Sequence, residues 1–488
     1  MDVVLEFINN VLWSSPVVYT LLGVGLIFSL LTRFLQVRHL KDMFTLMFSG
    51  KKSDAGVSSF QALSVALAGR VGTGNIAGVA SAIYFGGPGA VFWMWAIAFL
   101  GASSAFIEST LAQIYKDKQN GQYRGGPAYY IEKGLGVKWF AILFAVAALV
   151  AMSVLMPGVQ SNSIAAAVNN AFSIPTWATG LFLVLVLGLI IFGGIKWIAT
   201  TAAFIVPFMA IGYMIMAAII IFMNISAVPE TIALIFRSAF GMDSLFGGLL
   251  GSAISWGVMR GIYSNEAGQG TGPHPAAAAE VSHPAKQGLV QAASVYIDTL
   301  LVCSATAFMI LFTGMYNTQG PEEGTHVFEA IPGVEAGPQF TQEAINHVFP
   351  AFGTGFVAIA LLFFAFTTIM AYYYIAETNI AYLMRGRNAA WPMVVIKLLL
   401  LGATYYGANR TAANAWLLGD IGLGLMVWIN VIAIVLLAKP AMIALKDYEA
   451  QKQQGLDPVF DPKKLGIKHA TFWETYEPEK KGPKKNAS

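Results

Sequence analysis

Apolar blocks long enough to cross a bilayer recur along almost the whole of this 488-residue chain, and nothing else in the sequence restricts its fold as much. A membrane-spanning helix needs about 20 mostly apolar residues, because the hydrocarbon core is about 30 Å thick and a helix rises roughly 1.5 Å per residue. Charged residues make up 11% of the chain, against about 25% in soluble domains. With a mean hydropathy of +0.63, a water-soluble globule is excluded.

Cutting the blocks at charged clusters and Pro/Gly breaks predicts eleven spans, at 17–32, 57–85, 90–115, 139–167, 179–192, 197–222, 246–263, 289–312, 352–383, 391–406 and 421–438. The expected fold class is therefore an all-α membrane protein. Short loops that carry Lys and Arg stay on the cytoplasmic side. Arg33, Arg38, Lys41, Lys51 and Lys52 follow the first span, and Lys116, Lys118, Arg124, Lys133 and Lys138 follow the third. Lys196, Lys286, Arg385, Arg387 and the lysines from Lys439 onward fall on the same side if the spans alternate. The segment 314–350, on the other side, has Glu322, Glu323, Glu329, Glu335 and Glu343 and no Lys or Arg; Arg237 and Arg410 are isolated exceptions there. This predicts an N-terminus outside and a C-terminus in the cytoplasm, in a bacterial or archaeal inner membrane. The first ten residues hold Asp2 and Glu6 and no cation, unlike the basic start of a cleaved signal, so the first helix is expected to remain in the mature protein. The Lys- and Pro-rich segment 447–488 is expected to be a solvated tail. A single cysteine, Cys303, excludes an intrachain disulfide.

Two spans carry residues that a continuous membrane helix would not choose. ALAGRVGTGNIAGVAS, at 66–81, puts four glycines, Arg70, Thr73 and Asn75 inside an apolar block. Each Gly costs about 1 kcal/mol against Ala in a helix, and an Arg at membrane depth costs a few kcal/mol or more. One reading is a discontinuous helix whose freed carbonyls meet a cation and whose freed amides meet a carboxylate. Close helix packing through Gly74 and Gly78, a G-x-x-x-G pair, is the other. WGVMRGIYSNEAGQGTG, at 256–272, repeats the pattern with Arg260, Asn265, Glu266 and Gln269. The two breaks sit at equivalent places in two five-span segments that enter from opposite sides, which predicts inverted repeats at 57–224 and 225–438, preceded by 1–56 and followed by a tail at 439–488. Glu266 and Arg260 could instead form a structural ion pair.

Further polar residues lie in otherwise apolar spans. Thr367 and Thr368 are adjacent and so face directions about 100° apart on a helix; bonding back to their own helix is the common alternative. Tyr372 shares the face of Thr368. Gln160 follows Pro157-Gly158 and could donate to a carboxylate or simply join two helices. For Glu108, Asp298 and Asp420, pairing with Arg70, Arg260 or backbone donors is expected, with a proton relay as the alternative.

The strings GTGNIAGVA at 72–80, GGPGAVFWMW at 86–95 and SNEAGQG at 264–270 resemble the alanine or glycine:cation symporter family, and the resemblance covers 57–439. It implies a leucine-transporter-type fold, with one helix before ten core helices, and inward movement of alanine, glycine and sometimes D-alanine with sodium. It further implies a substrate site at Gly69, Thr73 and Gly74 completed by Gln160, Tyr263, Thr368 and Tyr372. Sodium would sit on the carbonyls of Ala68 and Val71, a carbonyl near Phe364, and the hydroxyls of Thr367 and Thr368. Tyr372 stands where the family has Trp and Tyr263 where it often has Phe, so the wall facing the substrate side chain differs; serine joins the candidate substrates. The expected partners are a small neutral amino acid, a sodium ion and membrane lipid, with no other cofactor, nucleic acid or obligatory protein partner.

Within the transporter class the rival is a different coupling ion, and a channel or an enzyme would be a different class. Proton coupling could run through Glu108, Glu266 or Asp298. A passive channel would fit the same spans. A membrane enzyme fits poorly, since the six histidines form no metal motif and no G-x-S-x-G occurs.

Overall fold

The computed structural model describes residues 2–50, 53–193, 195–322 and 324–476; Lys51, Lys52, Glu323 and 477–488, with the side chain of Lys196, lie outside the described residues. Among the described residues, eight helices are long and apolar enough to cross a membrane: Val3–Leu31, Gly89–Ile114, Lys138–Phe172, Trp197–Met223, Pro284–Thr313, Gly353–Leu383, Ala390–Ala408 and Ala412–Gln453. Thr176–Ile191 is equally apolar but shorter. The only strands among the described residues form two small antiparallel hairpins, Asp117–Gln119 with Gln122–Arg124 and Asn317–Gln319 with His326–Glu329.

Burial runs opposite to that of a soluble protein. Leu189, Phe204, Phe208 and Trp391 are exposed, whereas Arg70, Glu108, Arg260, Glu266, Asp298 and Asp420 are all buried. Such an arrangement is stable only if lipid covers the outer face and most inner polar groups find partners.

The two glycine-rich spans are both interrupted. The first starts at a capping box, in which Ser58 Oγ accepts from Gln61 N and Gln61 Oε1 accepts from Ser58 N, each at 3.2 Å. It runs as Ser59–Arg70, stops at Val71 and Gly72, and resumes as a π-helical turn, Gly74–Gly78, followed by Val79–Gly86. Its start is tied to the second interrupted region: Val57 N donates to Ala278 O and Glu280 N to Val57 O, both at 2.9 Å. The second span runs Leu250–Asn265, turns through 266–272, and resumes as Pro273–Ala278.

Three expectations are corrected. The first apolar helix begins well before residue 17, as Asp2–Leu12 followed by Ser15–Leu31, because Trp13 anchors it by donating from Nε1 to Asp420 O at 2.9 Å. The last span runs on to Gln453, through Pro440; residues 441–453 are rich in strong helix formers, and Glu449 docks on Arg38, at 2.7 Å, and on His39, at 2.9 Å. The tail through Tyr476 is packed. Phe460, Ile467 and Trp473 are buried, and Trp473 Nε1 donates to Gln113 O at 2.8 Å. Four aromatics in this segment, Phe460, Phe472, Trp473 and Tyr476, form a cluster of contacting rings. A small cluster of this kind outweighs a polar average. Lys116 lies against it, with Nζ 4.4 Å from the Tyr123 ring centre, 4.5 Å from Phe472 and 5.2 Å from Trp473.

Candidate functional site

The break at Val71 and Gly72 leaves backbone groups without helical partners, and side chains from the same span and from two other helices meet them. Asn75 closes the break locally: Gly72 N donates to Asn75 Oδ1 at 2.8 Å. The same side chain reaches across to Pro284–Thr313, where Nδ2 donates to Asp298 Oδ1 at 2.7 Å and to Asp298 O at 3.3 Å. Thr73 N donates to Gln160 Oε1 at 3.0 Å, and Gln160 Nε2 donates to Tyr372 OH at 3.2 Å and Tyr263 OH at 3.5 Å. Gln160 therefore joins the break to both tyrosines, through four helical segments that are distant in sequence. Thr73 Oγ1 is buried and has no hydrogen-bond partner among the described residues.

On the other side of the break, Thr368 Oγ1 donates to Ala68 O at 2.8 Å and to Phe364 O at 3.1 Å. Gly72 is needed here, since a β-carbon on it would overlap Thr368 Oγ1 and lie 3.0 Å from Gln160 Oε1. Gly74 packs on the second interrupted span; its β-carbon would lie 3.0 Å from Ser264 Cα. Thr367 is turned the other way: its hydroxyl donates to Phe363 O at 3.0 Å and Phe364 O at 2.9 Å, within its own helix. Val71, with φ −77° and ψ 87°, leaves helical geometry and turns its carbonyl off the helix axis. Gly69 faces Glu266, whose Oε2 would lie 3.2 Å from a β-carbon there.

The structure thus gathers Ala68, Phe364 and Thr368 on one side and Thr73, Gln160, Tyr263 and Tyr372 on the other, around one break. Buried charges surround it. Arg70 Nη1 donates to Ser294 Oγ and, at 3.2 Å, to Gln291 Oε1, while its Nε and Nη2 find no hydrogen-bond partner among the described residues. Glu108 accepts from Gly268 N at 3.2 Å, Gly270 N at 3.1 Å and Asn430 Nδ2 at 2.8 Å. Backbone donors and Asn430 thus hold it in place.

The Arg260–Glu266 ion pair offered by sequence does not form. Arg260 pairs with Asp420 through two bonds of 2.7 and 3.0 Å, and its guanidinium lies 4.2 Å from the Trp416 ring centre. Glu266 ends its helix in a left-handed conformation, φ 56°, which turns its side chain away from the face of Arg260. Its Oε2 accepts from Thr271 at 2.8 Å, and Oε1 has no hydrogen-bond partner among the described residues. Sequence reasoning missed Trp416, which packs on Tyr263 with ring centres 4.8 Å apart, as well as Ser294 and Asn430. No local pattern marks them, because each is defined by a contact more than a hundred residues away in sequence.

Known proteins resemble this chain along most of its length. The model of the sodium:alanine symporter family matches residues 1–462. A Bacillus subtilis protein named as a candidate sodium/proton-dependent alanine carrier is 73% identical over 97% of this chain and 98% of its own length. A sodium/proton-dependent alanine carrier protein of Bacillus sp. strain PS3 is 56% identical over 88% and 97%. A second Bacillus subtilis protein, named as a candidate sodium/glutamine symporter, is 44% identical over 94% of each chain. With its interrupted helices, its buried polar site and likeness of this extent, the chain belongs to the sodium:alanine symporter family, whose members are transporters and not enzymes.

Proposed function

We propose that this protein is a sodium-coupled symporter that imports small neutral amino acids, alanine above all, with glycine, D-alanine and serine as further substrates, by alternating access. One observation carries the reading: a single helix break presents an oxygen-rich side, with Thr368 Oγ1 2.8 Å from Ala68 O, and an amide side, with Thr73 N 3.0 Å from Gln160 Oε1. Carbonyl and hydroxyl oxygens suit a hard cation, and amides at a helix start suit a carboxylate, which would take Thr73 N in place of Gln160 Oε1. Sodium would take the carbonyls of Ala68, Val71 and Phe364 and the hydroxyl of Thr368, and Thr367 would join them only by turning its hydroxyl away from Phe363 O and Phe364 O. The amino acid would take Gly69, Thr73, Gly74 and Gln160, with Thr368, Tyr263 and Tyr372 around its side chain. Both ligands then stabilise the same closed break, and coupling follows by linkage.

The eight long helices, the shorter Thr176–Ile191 and the two interrupted spans support an eleven-span layout. In it an N-terminal helix precedes inverted five-span repeats at 57–224 and 225–438, with the N-terminus outside and the C-terminus in the cytoplasm of a bacterial cell. Uptake of labelled alanine into proteoliposomes at clamped pH tests the coupling. Accumulation driven by a sodium gradient and abolished when choline replaces sodium is the expected result; accumulation unaffected by choline would sink it.

Proton coupling is the second reading. Glu266 Oε1, buried without a hydrogen-bond partner among the described residues, supports it, as do relatives whose names include proton dependence. Accumulation driven by a pH gradient in the absence of sodium, and lost in Glu266→Gln, is its signature.

A further inference from the structure

We propose that a cleft formed by the end of Thr176–Ile191, the end of Gly353–Leu383 and the start of Ala390–Ala408 binds a phosphate-bearing anion, either the headgroup phosphate of an acidic phospholipid or phosphate itself. The cleft has a volume of about 480 Å³, within the range of about 300–1,000 Å³ usual for ligand sites. Its walls carry three cations, Arg124, Arg387 and Lys397, against one carboxylate, Glu377. That carboxylate is half engaged: Oε1 accepts from Arg124 Nη2 at 2.7 Å, while Oε2 has no hydrogen-bond partner among the described residues.

Arg124 is 6% exposed, and its Nε and Nη1 have no hydrogen-bond partner among the described residues. A buried guanidinium with donors left over is an unsatisfied fork, and phosphate oxygens match it. Lys397 sits two turns inside an apolar helix, where a charge is expensive. Its ammonium lies 4.3 Å from the Phe192 ring centre and 5.7 Å from that of Tyr373, so its stem follows the rings toward the cleft. Neither Lys397 nor Arg387 forms an ion pair among the described residues.

Depth selects the ligand further. Trp391, 72% exposed in the first turn of the helix that borders the cleft, and Phe192, 59% exposed at its edge, face outward. Exposed Trp at a helix end marks the level of the lipid headgroups. A basic pocket between membrane helices at that level is suited to acidic headgroups. The inference is independent of the coupling ion and of the substrate.

Native mass spectrometry of the full chain, delipidated and then offered phosphatidylglycerol or phosphatidylcholine, tests it without any transport step. Retention of phosphatidylglycerol over phosphatidylcholine is expected, weakened on the order of tenfold in the double variant Arg387→Gln, Lys397→Gln. These two positions are chosen because Arg387 is exposed and Gln keeps part of the Lys397 stem, so the fold survives; an unchanged melting temperature checks that. Millimolar inorganic phosphate separates the two sources: if it displaces the lipid, the site belongs to the free ion, and if the lipid stays, to the headgroup. Equal retention of both lipids, or undiminished binding in the double variant, overturns the proposal.

Discussion

The side-chain oxygen of Gln160 accepts the backbone N–H of Thr73 at 3.0 Å, so a residue of one helix completes the broken backbone of another. Removing it leaves a buried amide without an acceptor, at a cost of about 1–3 kcal/mol. Gln160→Ala should therefore raise the alanine KM by about tenfold while the sodium concentration for half-maximal uptake changes little. Uptake titrated in each ligand separately checks this; equal effects on both would argue that Gln160 merely packs.

The two threonines should differ. Thr368 Oγ1 lies 2.8 Å from Ala68 O, across the break, whereas Thr367 bonds only within its own helix. Thr368→Ala is expected to raise the sodium requirement several-fold, more than Thr367→Ala. Sodium titration of alanine uptake ranks the two.

Arg260 and Asp420 form a buried bidentate pair. Breaking one side strands a charge, which typically costs about 3–5 kcal/mol. Arg260→Met should lower the melting temperature of the detergent-solubilised protein sharply, and adding Asp420→Leu should restore much of the loss. A double variant no more stable than Arg260→Met would contradict this account.

Lys116, just beyond the Gly89–Ile114 helix, is pushed by burial from 10.5 down to about 7, with Glu280 pulling it back. Between these values the unfolded chain holds a proton that the folded chain lacks. Stability must therefore rise with pH from about 7 to about 10.5, by up to about 1.4 kcal/mol per pH unit, and below pH 7 the penalty is complete. Melting curves of the parent chain and Lys116→Met over pH 7–9.5 should converge at high pH and part as pH falls.

Trp473 holds the C-terminal segment through its bond to Gln113 O and its ring against Phe460, the centres 5.2 Å apart. Trp473→Ala should expose 454–476 to limited proteolysis at rates at least several-fold higher, with the helical remainder intact.

Much of this could be read from the residues. Apolar block length located the helices to within a few residues in most cases, because lipid imposes one length on all of them. Gly72-Thr73-Gly74-Asn75 pointed to a break, with close packing through Gly74 and Gly78 as the alternative, and the helix does stop at Val71 and Gly72. What escaped is long-range. Glu266 turned away from Arg260 through one left-handed residue, whereas the pairing of Asp420 with Arg260 is among those expected. The packed tail escaped because four aromatics in a polar stretch have no period to detect.

Asn75 holds Gly72 N with one end of its amide and Asp298 with the other. Asp298 lies in the π-helical stretch Tyr296–Cys303, where the hydrogen-bond ladder is already wide. The amide thus works as a pin through two loosened joints. Backbone rotation at the break must drag the π-helical stretch with it or pull the pin out, so ligands at the break reach a second helix that they never touch.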